Sequence, residues 1–207
     1  MDNEIKAIVF DIGSVVTKTD FNGFNRKLTK LAKDYKINSD KFHKLQGKYS
    51  KKSMIGKLSD NEFKGKILNE LDVKNKREFI KKWDNFLDLS MKLDKKVYSL
   101  ISKLKRNYII VSFSNVTPMF HKMRVRKRVY RHFKYNLLSH QIGLQKPSLK
   151  FYKLLINKAK VKPREIVFID DNKENLIPAV KLGMKTILYK NNNQLIRDLE
   201  KLGVKII

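Results

Sequence analysis

The stretch IKAIVFDIGSVV, residues 5–16, constrains the fold more than any other part of the chain. Its first half, Ile5 to Phe10, is a short apolar run rich in β-branched residues, which predicts a buried strand. Asp11 ends the run, and Gly13, a residue that permits a sharp turn or a close ligand, follows it. Open α/β sheets bind ligands at the carboxyl ends of their strands. The stretch therefore predicts either a strand that ends in an Asp-containing turn or the first part of a binding site.

The composition limits the class of protein. The chain has 207 residues, of which 42% are hydrophobic, enough for one domain with or without an insertion. It has no cysteine, which excludes disulfides, thiolate metal sites and cysteine nucleophiles. Its start lacks a basic-then-apolar signal pattern, and no apolar run approaches the roughly 18 residues of a membrane span. We therefore expect a cytoplasmic protein without membrane association, and its oligomeric state stays open.

The formal net charge of +27 raises the question of a polyanionic partner such as nucleic acid. Most of the charge is lysine and is spread along the chain, which favours a solvated basic surface over a dedicated nucleic-acid site. The densest cationic cluster follows Pro118, where a helix is expected to turn these side chains to solvent. The cluster consists of Arg124, Arg126, Lys127, Arg128 and Arg131.

Between residues 16 and 92 the apolar spacing is helical, and no strand is evident. Four apolar stripes predict four helices that pack as a bundle. They are Phe24, Leu28, Leu31 and Tyr35; Phe42 and Leu45; Phe63, Ile67 and Leu71; and Phe79, Trp83 and Phe86. Ser39 or Asp40 is expected to cap the second helix, and Ser59 with Glu62 forms a capping box for the third.

From Leu93 onward, apolar strands alternate with helices. The strands are predicted at residues 108–113, 135–138, 166–169 and 185–189. This alternation predicts an α/β fold with a parallel sheet. The helical stretch of residues 16–92 is then an insertion after the first strand.

Polar side chains follow three of the predicted strands and one connecting segment. They are Asp11, Ser114 and Asn115, Lys146, and Asp170 and Asp171. Carboxylates gathered at one point have raised pKa values unless a cation joins them, and oxygen ligands suit Mg²⁺, which commonly keeps waters and a substrate phosphate. The hydroxyl, amide and ammonium groups are suited to phosphate oxygens. Such an assembly can neutralise a phosphoryl group while an aspartate attacks it.

The segments VFDIGSVV, IIVSFSN, GLQKPS and IVFIDDNKENLIPA occur in this order along the chain. With them the chain resembles the haloacid dehalogenase-like (HAD) hydrolase superfamily over nearly the whole stretch from Ile5 to about Tyr189. The resemblance implies a Rossmann-like α/β core with helices on both faces, Mg²⁺ and an aspartate nucleophile. The insertion is similar to the helical cap of one branch. This predicts a core of residues 1–15 and 93–207 and a cap domain of residues 16–92.

The resemblance also implies roles for the acidic residues. Asp11 is the nucleophile and a metal ligand, and the carbonyl of Gly13 is a second metal ligand beside the phosphoryl site. Asp170 and Asp171 hold Mg²⁺ directly or through water, with Asp171 expected to be the closer one. Asn175 is expected to steady this acidic loop.

Among the remaining residues, Ser114 is expected to bind the transferring phosphoryl with Asn115 beside it, and Lys146 to balance charge. One departure from the family pattern stands out. Phosphatases of the family usually carry a second aspartate two residues after the nucleophile as general acid and base, and this chain has Gly13 there. Asp20, at the entry to the insertion, is a candidate substitute acid, with helix capping as its alternative role.

These features favour a Mg²⁺-dependent phosphatase of a small phosphorylated metabolite, a sugar phosphate or a nucleotide. The glycine in the DxG start is similar to a branch that includes sugar-phosphate phosphatases. An alternative is a HAD-fold binding or regulatory protein with weak catalysis, associated with nucleic acid. A haloacid dehalogenase, which attacks carbon and needs no Mg²⁺, is less favoured because of the paired Asp170 and Asp171.

Overall fold

The structure is a computed structural model that describes residues 4–206. Within that range, seven strands form a five-stranded sheet and a separate two-stranded ribbon. The strands are β1 (Ala7–Phe10), β2 (Thr17–Thr19), β3 (Met91–Leu93), β4 (Ile109–Ser114), β5 (Tyr135–Leu138), β6 (Ile166–Asp170) and β7 (Lys185–Leu188). The helices are α1 (Phe21–Asp34), α2 (Ser39–Met54), α3 (Asp60–Glu70), α4 (Lys76–Ser90), α5 (Lys95–Leu104), α6 (Pro118–Arg126), α7 (Ser139–Ile142), α8 (Leu149–Ala159), α9 (Lys173–Lys181) and α10 (Asn192–Lys201), with a 3-10 turn at Pro163–Glu165.

The five-stranded sheet is parallel throughout and has the order β5-β4-β1-β6-β7. β1 is central, and its last residue, Phe10, pairs with Ser112 of β4 and Ile169 of β6. The three strands that end in candidate site residues are therefore neighbours, and their carboxyl ends meet at one edge of the sheet. The predicted α/β fold with a parallel sheet is confirmed.

Helices cover both faces of the sheet, because β1 buries its side chains alternately on two cores. Ile8 and Phe10 belong to one core, which includes residues of α5, α6 and α10, whereas Ala7 and Val9 belong to the other, which includes residues of α8 and α9. All four side chains are fully buried. Burial on both faces explains why β1 is a continuous apolar run rather than an alternating one.

Helices α1 to α4, residues 21–90, form a helical block between β2 and β3. Trp83 of α4 is fully buried, and its ring meets those of Phe42, Phe63 and Phe79 edge-on at 5.2–6.2 Å. The predicted bundle core of aromatic stripes is confirmed. The capping box of Ser59 at the start of α3 is also present.

Two details of this region differ from the sequence prediction. β2 and β3 pair antiparallel at the base of the helical block, although no strand was evident after Val16. Three-residue strands such as Thr17–Thr19 are too short to show a periodic pattern, and distant pairing decides their conformation. The cap of α2 is Asn38, whose side chain accepts from the Lys41 amide at 2.9 Å, and not Ser39 or Asp40.

No helix between residues 4 and 206 combines the length and the apolar character needed to cross a membrane.

Candidate active site

A single lysine joins two of the strand ends. The Lys146 Nζ lies 2.8 Å from Oδ1 of Asp11 and 2.6 Å from Oδ2 of Asp170. All three side chains are buried: Lys146 is 3% exposed, Asp11 8% and Asp170 0%. Asp11 is held at the end of β1 because its amide donates to the Ile169 carbonyl at 2.8 Å. The structure therefore brings the predicted nucleophile, the charge-balancing lysine and Asp170 to one point.

Lys146 precedes α8 in a loop, and Asn115 fixes its backbone. The Asn115 Nδ2 donates to the Lys146 carbonyl at 2.9 Å, and the Lys146 amide donates to Asn115 Oδ1 at 2.8 Å. The ammonium also lies 5.6 and 5.5 Å from the ring centres of Phe113 and Phe168, a cation–π arrangement. Both ends of the Asn115 amide are therefore engaged with the lysine loop. A contact of the Asn115 side chain with phosphate, expected from the sequence, stays a prediction.

Asp170 is enclosed by donors on both of its oxygens. Oδ1 accepts from the Asn172 amide at 2.8 Å, and Asn175 Nδ2 lies 3.1 Å from both oxygens. Asn175 is held in turn, because the Tyr152 hydroxyl donates to its carbonyl at 2.5 Å. Burial raises the pKa of Asp170, and the charge of Lys146 opposes that rise. Asp170 is therefore a buried partner of the lysine with no oxygen left without a donor.

Asp171 has a different environment, on the open side of the site. Partial burial of its carboxyl group and the charge of Asp11 raise the pKa of Asp171, and a hydrogen bond with Ser14 lowers it. Two carboxylates, Asp11 and Asp171, thus repel each other across the part of the site that faces solvent. The donor set needed by a hard cation is present there, because Mg²⁺ is commonly bound by one or two carboxylates with waters and phosphate completing the shell.

The expected gathering of three carboxylates about one ion is not what the structure contains. Across residues 4–206, no three His, Asp or Glu side chains are close enough to form a metal site by themselves. The Lys146 ammonium contacts both Asp11, at 2.8 Å, and Asp170, at 2.6 Å. The residues fit a cation held by Asp11, Asp171 and a main-chain oxygen, with Asp170 behind the lysine.

Ser114, the last residue of β4, has a partner that the sequence did not reveal. The Arg124 Nη1 donates to Ser114 Oγ at 3.0 Å, and Arg124 is only 5% exposed. Sequence reasoning had placed Arg124 on a solvated basic face of α6. The available signal was its position on α6 directly after Met123, which is fully buried and lies one turn after the buried Met119. The four other basic residues of that cluster are all exposed, so the charge pattern alone did not indicate that Arg124 is buried.

Gly13 lies between Asp11 and Arg124. A Cβ built at Gly13 would be 3.5 Å from Arg124 Nη2 and 3.6 Å from Asp11 Oδ2, both ordinary contact distances. The sharp turn expected at Gly13 falls on Ser14 instead, which has a φ of 59°. The Thr17 amide, reaching back to the Ile12 carbonyl at 2.9 Å, closes the turn around Ser14. The backbone conformation therefore does not require glycine at position 13.

Asp20 is the N-cap of α1. Its Oδ1 accepts from the Gly23 amide at 2.8 Å, so the side chain is engaged with the helix end. The capping role, given above as the alternative to a substitute acid, is the one that the contacts support.

A cavity of about 590 Å³ lies between the helical block and the start of α6. Its apolar walls come from both sides: Phe21, Phe24 and Phe63 from the helical block, and Met119 and Phe120 from α6. The cavity also reaches Thr117, whose buried hydroxyl has no hydrogen-bond partner among residues 4–206. It is thus an apolar space that begins three residues beyond Ser114.

Comparisons with known proteins find partial matches to curated hydrolases. A segment of the chain is 44% identical over 71 residues to mouse bifunctional epoxide hydrolase 2, covering 34% of this chain and 13% of that protein. It is 31% identical over 93 residues to the sesquiterpene phosphatase astK of Aspergillus oryzae, covering 44% and 47% of the two chains. The chain therefore spans less than half the length of these curated relatives.

Among solved structures, a HAD family enzyme from Bacteroides thetaiotaomicron superposes with a TM-score of 0.78 at 22% identity, over 90% of this chain and 94% of that one. Another structure of that enzyme, with magnesium and inorganic phosphate, has a TM-score of 0.74. At this identity the likeness establishes the fold alone. A family model described as haloacid dehalogenase-like hydrolase matches residues 5–183. The chain belongs to the haloacid dehalogenase-like hydrolase family.

Proposed function

We propose that this hydrolase is a Mg²⁺-dependent phosphatase that forms an aspartyl-phosphate on Asp11. The observation that carries the proposal is the pairing of Asp11 Oδ1 with the buried Lys146 ammonium, while the exposed Asp171 is near enough for the charge of Asp11 to raise its pKa. The phosphatase among the relatives and the magnesium and phosphate in the related structure support the same reaction class. The substrate is a small phosphorylated metabolite, a sugar phosphate or a nucleotide.

The proposed reaction has two displacements at phosphorus. In the first, a carboxylate oxygen of Asp11 bonds to phosphorus, and the bond to the leaving oxygen breaks with its electron pair. In the second, water attacks the aspartyl-phosphate, so that phosphate leaves and the Asp11 carboxylate is restored. Lys146 holds Oδ1 of Asp11 throughout, which leaves Oδ2 as the attacking atom.

The other residues of the site orient and neutralise the phosphoryl group. Ser114 is placed to donate to a phosphoryl oxygen, and Asn115 keeps Lys146 in position. Asp11, Asp171 and the Gly13 carbonyl would hold Mg²⁺, which supplies charge neutralisation to the phosphoryl oxygens when it is bound. Asp170 would hold the Lys146 ammonium in position through their ion pair.

Residues 16–92 are proposed to be the cap domain and residues 1–15 and 93–207 the core, although residues 1–3 and 207 lie outside the described part. The apolar cavity between helical block and α6 is then the space for the part of the substrate beyond phosphate. Its aromatic walls favour a substrate with an apolar or stackable group. The cytoplasmic location remains a prediction, and a nucleic-acid partner remains the less favoured alternative.

The test is release of phosphate from p-nitrophenyl phosphate with Mg²⁺, followed by a panel of sugar phosphates and nucleotides. Asp11→Asn is expected to abolish release, while Lys150→Met, at an exposed position four residues after Lys146, is expected to leave it unchanged. No hydrolysis of any ester would refute the proposal and favour a binding or regulatory protein. Halide release from a haloacid without metal would indicate a dehalogenase instead.

A further inference from the structure

We propose that Arg124 binds the leaving oxygen of the substrate, so that the leaving group departs as an anion rather than as a protonated alcohol. The substrates are then phosphoryl compounds with a weakly basic leaving group, such as an aryl phosphate, an acyl phosphate or a phosphoanhydride. The inference rests on the proposed phosphatase function and narrows its substrate class: among sugar phosphates and nucleotides it disfavours the alkyl monoesters and retains the phosphoanhydrides. Three features of the chain lead to it.

The first feature is the unpaired charge of Arg124. The side chain is 95% buried, and its guanidinium takes no part in the ion pairs formed within residues 4–206. Its hydrogen bond to Ser114 uses one nitrogen, whereas Nε is buried with no partner in the same part of the chain. Buried charges in proteins are usually paired, and buried donors usually have acceptors. The Arg124 guanidinium therefore lacks an anionic acceptor, and a bound substrate can supply one.

The second feature is where the guanidinium lies. Its Nη2 is 3.5 Å from the point where a side chain at position 13 would begin. Because the backbone of Gly13 is outside the left-handed region, an alanine fits there, but a longer side chain would run toward Arg124. In the family pattern described above, that position carries the general acid for the leaving oxygen. The Arg124 guanidinium therefore lies beside the position where the family pattern has its general acid.

The third feature is that the neighbouring hydroxyl does not replace the acid. The Tyr130 hydroxyl is buried without a hydrogen-bond partner among the described residues, and it feels the charges of Arg124 and Asp11. Burial raises the pKa of Tyr130, so this phenol is a weaker acid than usual. Asp20, the other candidate, is engaged in capping α1.

The chemistry that follows is balanced without a proton donor. The bond between phosphorus and the leaving oxygen breaks, and the electron pair stays on that oxygen, where the guanidinium neutralises the charge. Protonation by an acid typically contributes about 10²–10⁴ in rate, and a cation replaces it well only when the leaving oxygen is a weak base. Alkyl phosphates, whose alkoxides are strong bases, are therefore expected to be poor substrates.

The experiment measures kcat/KM with Mg²⁺ for substituted phenyl phosphates, from dinitrophenyl phosphate with a good leaving group to phenyl phosphate with a poor one. The proteins are wild type, Arg124→Met, Arg124→Lys and Arg126→Met, the last being an exposed arginine on the same helix, paired with Asp88. Arg124→Met is expected to lose about tenfold to a hundredfold on phenyl phosphate, the worth of a charged hydrogen bond, and much less on dinitrophenyl phosphate. Arg126→Met should retain the wild-type dependence.

The dependence on leaving group compares kcat/KM for two esters measured with the same protein, so a smaller folded fraction cancels from the ratio. If Arg124→Met does not fold, Arg124→Lys is measured in its place. An equal loss on every ester, with weaker binding of inorganic phosphate by calorimetry, would assign Arg124 to the non-bridging oxygens and overturn the inference. No change in any ester would overturn it as well. Both results leave the phosphatase proposal intact if Asp11→Asn is inactive, whereas no hydrolysis by wild type overturns both proposals.

A second pair of variants tests the same claim from position 13. Gly13→Asp places a carboxylate beside Arg124, so we expect an ion pair and lower activity on phenyl phosphate. Gly13→Asp combined with Arg124→Met frees that carboxylate to act as an acid. The double variant is therefore expected to exceed Arg124→Met on phenyl phosphate, and a double variant no better than Arg124→Met would contradict the inference.

Discussion

Asp11 and Lys146 are 135 residues apart in the sequence, yet the lysine Nζ donates to Asp11 Oδ1 at 2.8 Å in the interior of the protein. The same nitrogen reaches Asp170 at 2.6 Å. One buried cation between two buried carboxylates explains how the end of β1 and the end of β6 coexist at one point without mutual repulsion. It also leaves one oxygen of Asp11 available on the open side.

The lysine is expected to contribute to stability as well as to activity. Lys146→Met removes the only cation that contacts Asp170 among residues 4–206, and breaking a buried pair in this way commonly costs about 3–5 kcal/mol. The expected result is a lower free energy of unfolding in urea together with loss of phosphatase activity. Adding Asp170→Asn should recover part of the stability and none of the activity. Equal stability of Lys146→Met and Lys150→Met would contradict the buried pair.

The hydrogen bonds between Asn115 and Lys146 are expected to act through position. Asn115→Ala frees the lysine loop, so the ammonium is held less firmly against Asp11. We expect kcat to fall by about tenfold or more, the worth of a positioned hydrogen bond, with a smaller change in KM. A change confined to KM would indicate that Asn115 contacts the substrate directly.

Variants of Asp20 distinguish a role in capping α1 from a role in catalysis. Asp20→Ala removes the acceptor for the Gly23 amide, and loss of such a cap typically costs about 1 kcal/mol. Asp20→Ser keeps a capping oxygen but no acid, so it should retain both stability and kcat. A drop in kcat in Asp20→Ser at unchanged stability would show that the carboxylic acid serves the reaction.

Two histidines, His121 in α6 and His140 in α7, predict a pH dependence of stability. Burial, and then the charge of His121, lower the pKa of His140 to about 4, against an unfolded value of about 6.5. Between these values the unfolded chain binds more protons, so the free energy of unfolding decreases as the pH falls from 6.5 to 4. We expect a loss of about 1–2 kcal/mol because partial exposure screens the effect. His140→Gln should flatten the pH dependence, and an unchanged slope would contradict this.

Much of the fold could be predicted because its determinants are local. The apolar runs at β1, β4 and β6 fix buried strands, and the carboxyl ends of parallel strands meet at one edge whatever lies between them. Asp11, Ser114 and Asp170 therefore could be placed together from their positions alone. Lys146 could be named as a candidate by its charge, but its loop has no periodic pattern that would place it beside Asp11.

The rest depends on contacts between distant segments. Arg124 lies within a basic run whose other basic residues are all exposed, and only the packing of α6 reveals that this one side chain is buried. The pairing of β2 with β3 joins Thr17 to Leu93, and no short window of sequence contains both partners. The partner of Asn115 is likewise a backbone segment 31 residues away.

The central claim is that the carboxylate of Asp11 bonds to phosphorus, and trapping the intermediate tests it most directly. The protein is mixed with p-nitrophenyl phosphate and Mg²⁺, quenched in acid during turnover, and digested for mass spectrometry. The prediction is a phosphoryl group on the peptide that contains Asp11, absent from Asp11→Asn. Phosphate release at the wild-type rate by Asp11→Asn, or a phosphoryl group on another residue, would contradict it.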